Sequence, residues 1–326
     1  MAEQNKATVE FENDDAVAEE IRTDINPQDI VQNPSEYAEQ MAAQRGSDHD
    51  KMAGFTVPRD YVILPSKGRV YPVESPLYNM EEIEVRHLTA ADEDILTSRS
   101  LLRSGRAIDV LLDNVILNKS IKAEELVSGD KNAIMTFLRI TGYGPEYGVE
   151  LTCPGCGEDI KSEFDLTQLN MNMLDVAPVG EGLNRFEFKM PSGVIIHFKL
   201  LTSKEEKVIS DEQDRIKKMT NSPLDHNITT RLQHQIISVD GNEDKTYIQN
   251  FINVMNVRDS RAFRKYFDSI EPDVIMKQDF NCPLCGHRGE VDIPITVDFF
   301  WPDDYAQRLY LGRSFCLCLS WSYKFC

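Results

Sequence analysis

The sequence predicts an α+β protein, a tandem pseudo-repeat of short strands and capped helices closed by one shared zinc ribbon. Three observations predict it. The pentapeptide Cys153-Pro154-Gly155-Cys156-Gly157 returns as Cys282-Pro283-Leu284-Cys285-Gly286. Strand-like runs flank both copies, 149–152 and 160–164 around the first, 276–280 and 291–295 around the second. Finally, Asp130 precedes Cys153 and Asp259 precedes Cys282 by the same 23 residues.

Each pentapeptide has the form of a zinc knuckle. Two thiolates sit on a tight turn, and the glycine after the second lets the chain fold back beneath a metal. One knuckle offers two ligands and tetrahedral zinc takes four. Cys153, Cys156, Cys282 and Cys285 are therefore the candidate ligands of a single zinc ion. Four thiolates leave no open position for water, so such a zinc is structural rather than catalytic. Two other readings of the same residues stay open: a redox dithiol, and free reduced cysteines.

The elements follow in order. Residues 61–64 read as a strand that ends in the turn Pro65-Ser66-Lys67-Gly68. Thr89 and Asp92 form a near capping box and open a helix. Ile108, Leu111, Leu112, Val115 and Ile116 keep helical spacing. Asp130 is read as the cap of a further helix with Ile134, Phe137 and Leu138 on its apolar face. Gly142-Tyr143-Gly144 lacks the third glycine of a dinucleotide site and is read as a strand start or bend.

The order then recurs. Met190-Pro191-Ser192-Gly193 matches the first turn, and Thr202 with Glu205 repeats the cap. Asp259, Ala262, Phe263, Tyr266 and Phe267 match the helix led by Asp130. The expected divisions are an acidic, disordered arm (1–53), a first repeat with knuckle 1 (54–175), a second repeat with knuckle 2 (176–303) and a C-terminal extension (304–326). The stretch 170–181 reads as a linker between the repeats. Ser222-Pro223 through Asn227, and Asp240-Gly241-Asn242, read as surface loops or turns.

Charge narrows the function classes. The formal net charge is −19, which argues against binding nucleic acid by phosphate neutralisation. The arm holds 13 Asp and Glu against 4 Lys and Arg, with Val17, Ile21, Ile25, Ile30, Val31 and Tyr37 scattered among them. It reads as a solvated tail or as a segment that orders on a partner. No membrane span or signal-peptide core is expected. Seven cysteines, four of them in knuckles, suggest a reducing compartment.

None of the six histidines stands at metal-ligand spacing with another. His287, two residues past Cys285, is weighed as a replacement ligand and set aside. No nucleophile elbow, P-loop or HExxH pattern occurs, and no enzyme is expected. Phe299-Phe300-Trp301-Pro302 reads as core packing, with a partner-facing patch as the alternative. The apolar, Cys-rich end around Cys316 and Cys318 stays open between a docked strand, a partner-inserted peptide and a non-native end.

Taken together, 64–68 (Leu-Pro-Ser-Lys-Gly), 87–93 (His-Leu-Thr-Ala-Ala-Asp-Glu), Gly129-Asp130 with Leu138-Arg139, and both knuckles resemble the T-even-like phage baseplate proteins. The resemblance spans roughly residues 60–303. It implies a part in building the central hub of a contractile tail's baseplate, as a hub subunit or as an assembly factor (chaperone). Implied partners are other baseplate hub proteins and the tape-measure protein, with no nucleic acid, membrane or small-molecule substrate. The implied location is the host cytoplasm during assembly; a hub component then stays in the virion baseplate, whereas a chaperone leaves. The rival reading is a zinc-ribbon, nucleic-acid-binding late regulator. A dithiol redox enzyme is a third.

Overall fold

The computed structural model describes residues 56–220, 227–293 and 299–300. The acidic arm and the Cys-rich end therefore lie outside the described residues, as does most of the 222–227 loop. What is described is a mixture of helices and small antiparallel sheets of two or three strands.

The first half opens with β1 (Arg59–Ile63) paired to β2 (Glu82–Arg86), Val62 opposite Ile83. Their alternation puts Val62, Ile83 and Val85 inward. Between the strands the chain turns through Lys67 (φ 54°) and Gly68 (φ 68°). A Cβ on Gly68 would stand 2.2 Å from the Met80 backbone nitrogen, so only glycine fits this turn.

Helices α1 (Ala90–Thr97), α2 (Arg99–Ser104), α3 (Ala107–Val115) and α4 (Ser128–Tyr143) follow. Thr89 caps α1 in a capping box with Asp92, as the sequence predicts. Ile134 and Leu138 of α4 are fully buried. Strands β3 (Glu146–Thr152) and β4 (Asp159–Asp165) then form a hairpin, with Tyr147 opposite Phe164 and Leu151 opposite Ile160.

The second half holds a three-stranded sheet of β6 (Phe186–Lys189), β7 (Ile195–Phe198) and β8 (Ile236–Val239). Helices α5 (Ser203–Thr220) and α6 (Asn227–Gln235) lie between β7 and β8; α7 (Lys245–Val254) and α8 (Val257–Ile270) follow β8. Asp240 and Gly241, both at positive φ, turn the chain after β8. Phe263 and Phe267 of α8 pack on Phe198 of the sheet, with ring centroids 5.1 and 5.8 Å apart. A second hairpin, β10 (Lys277–Asn281) with β11 (Arg288–Asp292), closes this half.

One hydrophobic core runs through both halves. Backbone hydrogen bonds stitch them together: Ser128 N–H donates to Leu201 at 3.1 Å, and Ser203 N–H donates to Leu126 at 2.9 Å. Asn132 Nδ2 donates to Asp273 at 2.9 Å. The start of α4 abuts the backbone of Pro272, which a Cβ on Gly129 would approach to 1.7 Å.

Three expectations are corrected. The stretch 170–181 is not a free linker, because its first residues form β5 (Asn170–Asn172), paired with β9 (Asp273–Ile275) of the second half. Asp130 is not the cap of α4, since Val127 takes that position and the Asp130 carboxylate points away to Ser66 and Tyr71. Gly142 and Tyr143 belong to the last turn of α4, and only Gly144, its C-cap at φ 89°, makes a bend. Phe299 and Phe300, by contrast, are core residues, with Phe299 edge-on to Tyr147 of β3 at 5.3 Å. Trp301 and Pro302 lie outside the described residues.

Candidate metal centre

Each knuckle occupies the tip of a hairpin, between β3 and β4 and between β10 and β11. The two tips are built alike. Cys153 N–H donates to the Glu158 carbonyl at 2.9 Å, and Cys282 N–H donates to the His287 carbonyl at 2.9 Å. Gly157 N–H returns to the Cys153 carbonyl at 2.8 Å, and Gly286 N–H to the Cys282 carbonyl at 3.0 Å. Both glycines stand at positive φ, 75° and 72°, so the fold-back expected of them is what they supply.

The hairpins bring their tips together. The sulfur atoms of Cys153, Cys156, Cys282 and Cys285 all lie within 4.8 Å of one another. Across the tips, Cys153 Sγ is 3.7 Å from Cys285 Sγ, and Cys156 Sγ is 3.9 Å from Cys282 Sγ. Zinc–sulfur bonds of about 2.3 Å in a tetrahedron put neighbouring sulfurs about 3.8 Å apart. The donor set thus fits a tetrahedral thiolate-bound ion, and the four cysteines are free thiols with no disulfide among them. Cys153 and Cys282 are buried, while Cys156 and Cys285 face solvent.

Backbone amides point at the two buried sulfurs. Gly155 N–H points at Cys153 Sγ (3.3 Å) and Cys285 N–H at Cys282 Sγ (3.4 Å). Burial pushes the Cys282 thiol up, but the N–H groups of Cys285 and Leu284 and the thiols of Cys285 and Cys153 outweigh it and hold it at about 6. Cys285 is favoured as thiolate by the His287 N–H, yet its contacts with Cys282, its burial and the other two thiols push it up to about 12. A metal binds these sulfurs as thiolates, so a cation in their midst would displace their protons.

His287 stays outside the cluster. Its ring lies over the first tip, where a Cβ on Gly155 would come within 2.8 Å of His287 Cβ. The sequence alone does not reveal this packing of one tip on the other, since it depends on a side chain being absent at 155. His197, read as an ordinary strand residue, is one: it sits in β7, with Nδ1 2.8 Å from Ser238 Oγ.

Residues 61–301 match the family described as T4 bacteriophage base plate protein, and the chain belongs to that family. Its role accordingly lies in the phage baseplate, in assembly with other baseplate proteins. No curated protein and no solved structure matches the chain. Among the described residues, no helix is long and apolar enough to cross a membrane.

Proposed function

We propose that this protein is a non-enzymatic hub subunit or hub-assembly factor of a contractile-tail baseplate, its two halves clamped by one structural zinc ion on Cys153, Cys156, Cys282 and Cys285. The observation that carries the reading is the meeting of four thiols from two hairpins about 130 residues apart at zinc-like spacing. When bound, zinc supplies no reaction at a site closed by four thiolates; it fixes one hairpin on the other.

Repeated contacts support reading the halves as a duplicated unit. Arg86 pairs with Asp92, which also receives Thr89 N–H; Lys199 pairs with Glu205, which also receives Thr202 N–H. Ser66 N–H donates to Asp130, and Ser192 N–H to Asp259. The shared zinc then joins two equivalent hairpins. A chain clamped in this way offers its partners a fixed surface rather than a reaction centre.

The test is native mass spectrometry of the full chain co-expressed with the phage's hub and tape-measure proteins, with zinc counted in the same spectra. One zinc per chain together with a defined hetero-complex is the expected result. A metal-free chain that still forms the complex would remove the clamp and keep the hub assignment. A zinc-bound chain that binds none of these proteins would remove the hub assignment.

A further inference from the structure

Helix α8 carries a face at odds with the rest of the chain. Its inner side is Phe263, Phe267 and Ile270, all buried. Its outer side exposes Arg258, Arg261, Arg264 and Lys265. At 100° per residue these four fall within an arc of about 120°. Arg261, Arg264 and Lys265 form no ion pair among the described residues. Arg258 feels the charge of Asp259, whose carboxylate is already engaged by Ser192 N–H at 3.1 Å and Asn256 Nδ2 at 2.7 Å. Asp268, the one carboxylate on the same face, acts on Arg231. Four clustered cations, three of them in no ion pair among the described residues, are out of place on a chain of net charge −19.

At the head of this face the α7–α8 corner exposes two valines, Val254 at 81% and Val257 at 74%. A bare cationic stripe suits any polyanion. Cations beside apolar side chains suit an acidic polypeptide with apolar residues spaced along it. Nucleic acid would leave the valines uncovered, and its long backbone would be repelled by a chain of net charge −19.

This chain contains such a segment. Residues 14–25 hold Asp14, Asp15, Glu19, Glu20 and Asp24 against Arg22 alone, with Val17, Ile21 and Ile25 four residues apart. The stretch joining it to Thr56 spans up to about 100 Å at full extension, so reach sets no limit. We propose that the α8 face is the docking surface for this chain's own residues 14–25, with acidic groups on Arg258, Arg261, Arg264 and Lys265, and apolar ones on Val254 and Val257. The proposal stands apart from the zinc clamp and from the hub assignment.

The test uses the full chain with Val257 replaced by the photo-cross-linker p-benzoylphenylalanine, and mass spectrometry to map the adduct. An intramolecular cross-link to residues 14–25 is the expected result. Arg261→Glu with Lys265→Glu should cut its yield roughly five- to tenfold, and so should Glu19→Lys with Glu20→Lys. Combining the two charge reversals should restore it, which a fold defect in either variant could not do. High salt should weaken the cross-link. No adduct, an adduct to another segment, a cross-linked dimer or a nuclease-sensitive adduct would each overturn the proposal.

Discussion

The backbone N–H of Ser66 donates to the carboxylate of Asp130 at 2.9 Å, joining the first turn of the fold to a helix 64 residues further on. Ser66 Oγ and Tyr71 Oη each donate to the other oxygen at 2.6 Å, and Val127 N–H donates to Tyr71 Oη at 3.0 Å. Asp130, Ser66 and Tyr71 are all buried. The carboxylate thus serves as the acceptor hub for the loop and for the entry to α4. Ser192 and Asp259 repeat the backbone contact at 3.1 Å, and the Ser192 side chain also bonds that carboxylate.

Removing that acceptor strands three buried donors. Asp130→Ala should therefore cost about 2–4 kcal/mol, whereas Asp130→Asn keeps an acceptor oxygen and should cost less. Burial pushes the Asp130 carboxyl up, against the hydrogen bonds of Ser66 and Tyr71. A raised folded-state value means the fold holds the proton more tightly than the unfolded chain does. The contribution is complete below the ordinary carboxylate value and is lost as pH rises through the raised one. Urea titrations at stepped pH should show this slope in the parent and not in Asp130→Asn. Equal slopes would refute the assignment.

A second buried carboxylate behaves in the opposite sense. Asp92 takes Arg86 in a bidentate pair at 2.6 and 2.8 Å, with both side chains 3% exposed. Burial opposes its ionisation, but the hydrogen bonds and charge of Arg86, with Thr89, hold its carboxyl below the usual range. Its stability contribution is present above the unfolded value and is lost as pH falls through the folded one. Asp92→Ala leaves a guanidinium buried and unpaired, at a cost of about 3–5 kcal/mol. The corresponding pair, Lys199 with Glu205, is 29% exposed on both sides. Glu205→Ala should therefore cost only about 1 kcal/mol beyond the lost cap. Chemical denaturation of both variants gives the order, and an inverted order would sink the account.

The four thiols supply a third prediction. A zinc site contributes roughly 10–16 kcal/mol to the fold that holds it. Losing one ligand from the buried pair, in Cys153→Ser or Cys282→Ser, should remove several kcal/mol and lower the zinc count. Calorimetry with and without a chelator reads the same quantity in the parent chain. Unchanged melting in chelator, with zinc shown to be absent, would mean that the hairpins hold each other without metal.

Why some of this was legible and some not follows from where each signal resides. The knuckles and the Thr89 and Thr202 caps are local: residues three apart specify the geometry, and the structure forms what they specify. Asp130 looked like a cap because an acid near a helix start usually finds its own helix's N–H groups. Here Ser66 and Tyr71, some 60 residues away, take the carboxylate instead. Strand β5 has three residues and no buried side chain, so periodicity could not reveal its pairing with β9. The stacking of His287 over Gly155 depends on a missing Cβ, and a missing atom leaves no pattern in a sequence.

Gly129 supplies the last prediction, at the seam between the halves. It lies in the first turn of α4, and a Cβ built there would stand 1.7 Å from the Pro272 carbonyl oxygen and 2.6 Å from its carbon. Both atoms are backbone, and they lead directly into β9, whose Asp273 is held by Asn132 Nδ2 at 2.9 Å and by pairing with Asn172. Neither side can yield as a flexible side chain would. Gly129→Ala should therefore cost at least about 2 kcal/mol by overpacking, despite alanine's better helix propensity. Gly148, on β3, is the control, since a Cβ there meets nothing within 4 Å. Gly148→Ala should leave stability unchanged or raise it by about 0.5 kcal/mol. Urea denaturation of the two variants side by side decides the matter: equal midpoints would mean that α4 and Pro272 part easily, and that the seam contributes little to holding the halves together.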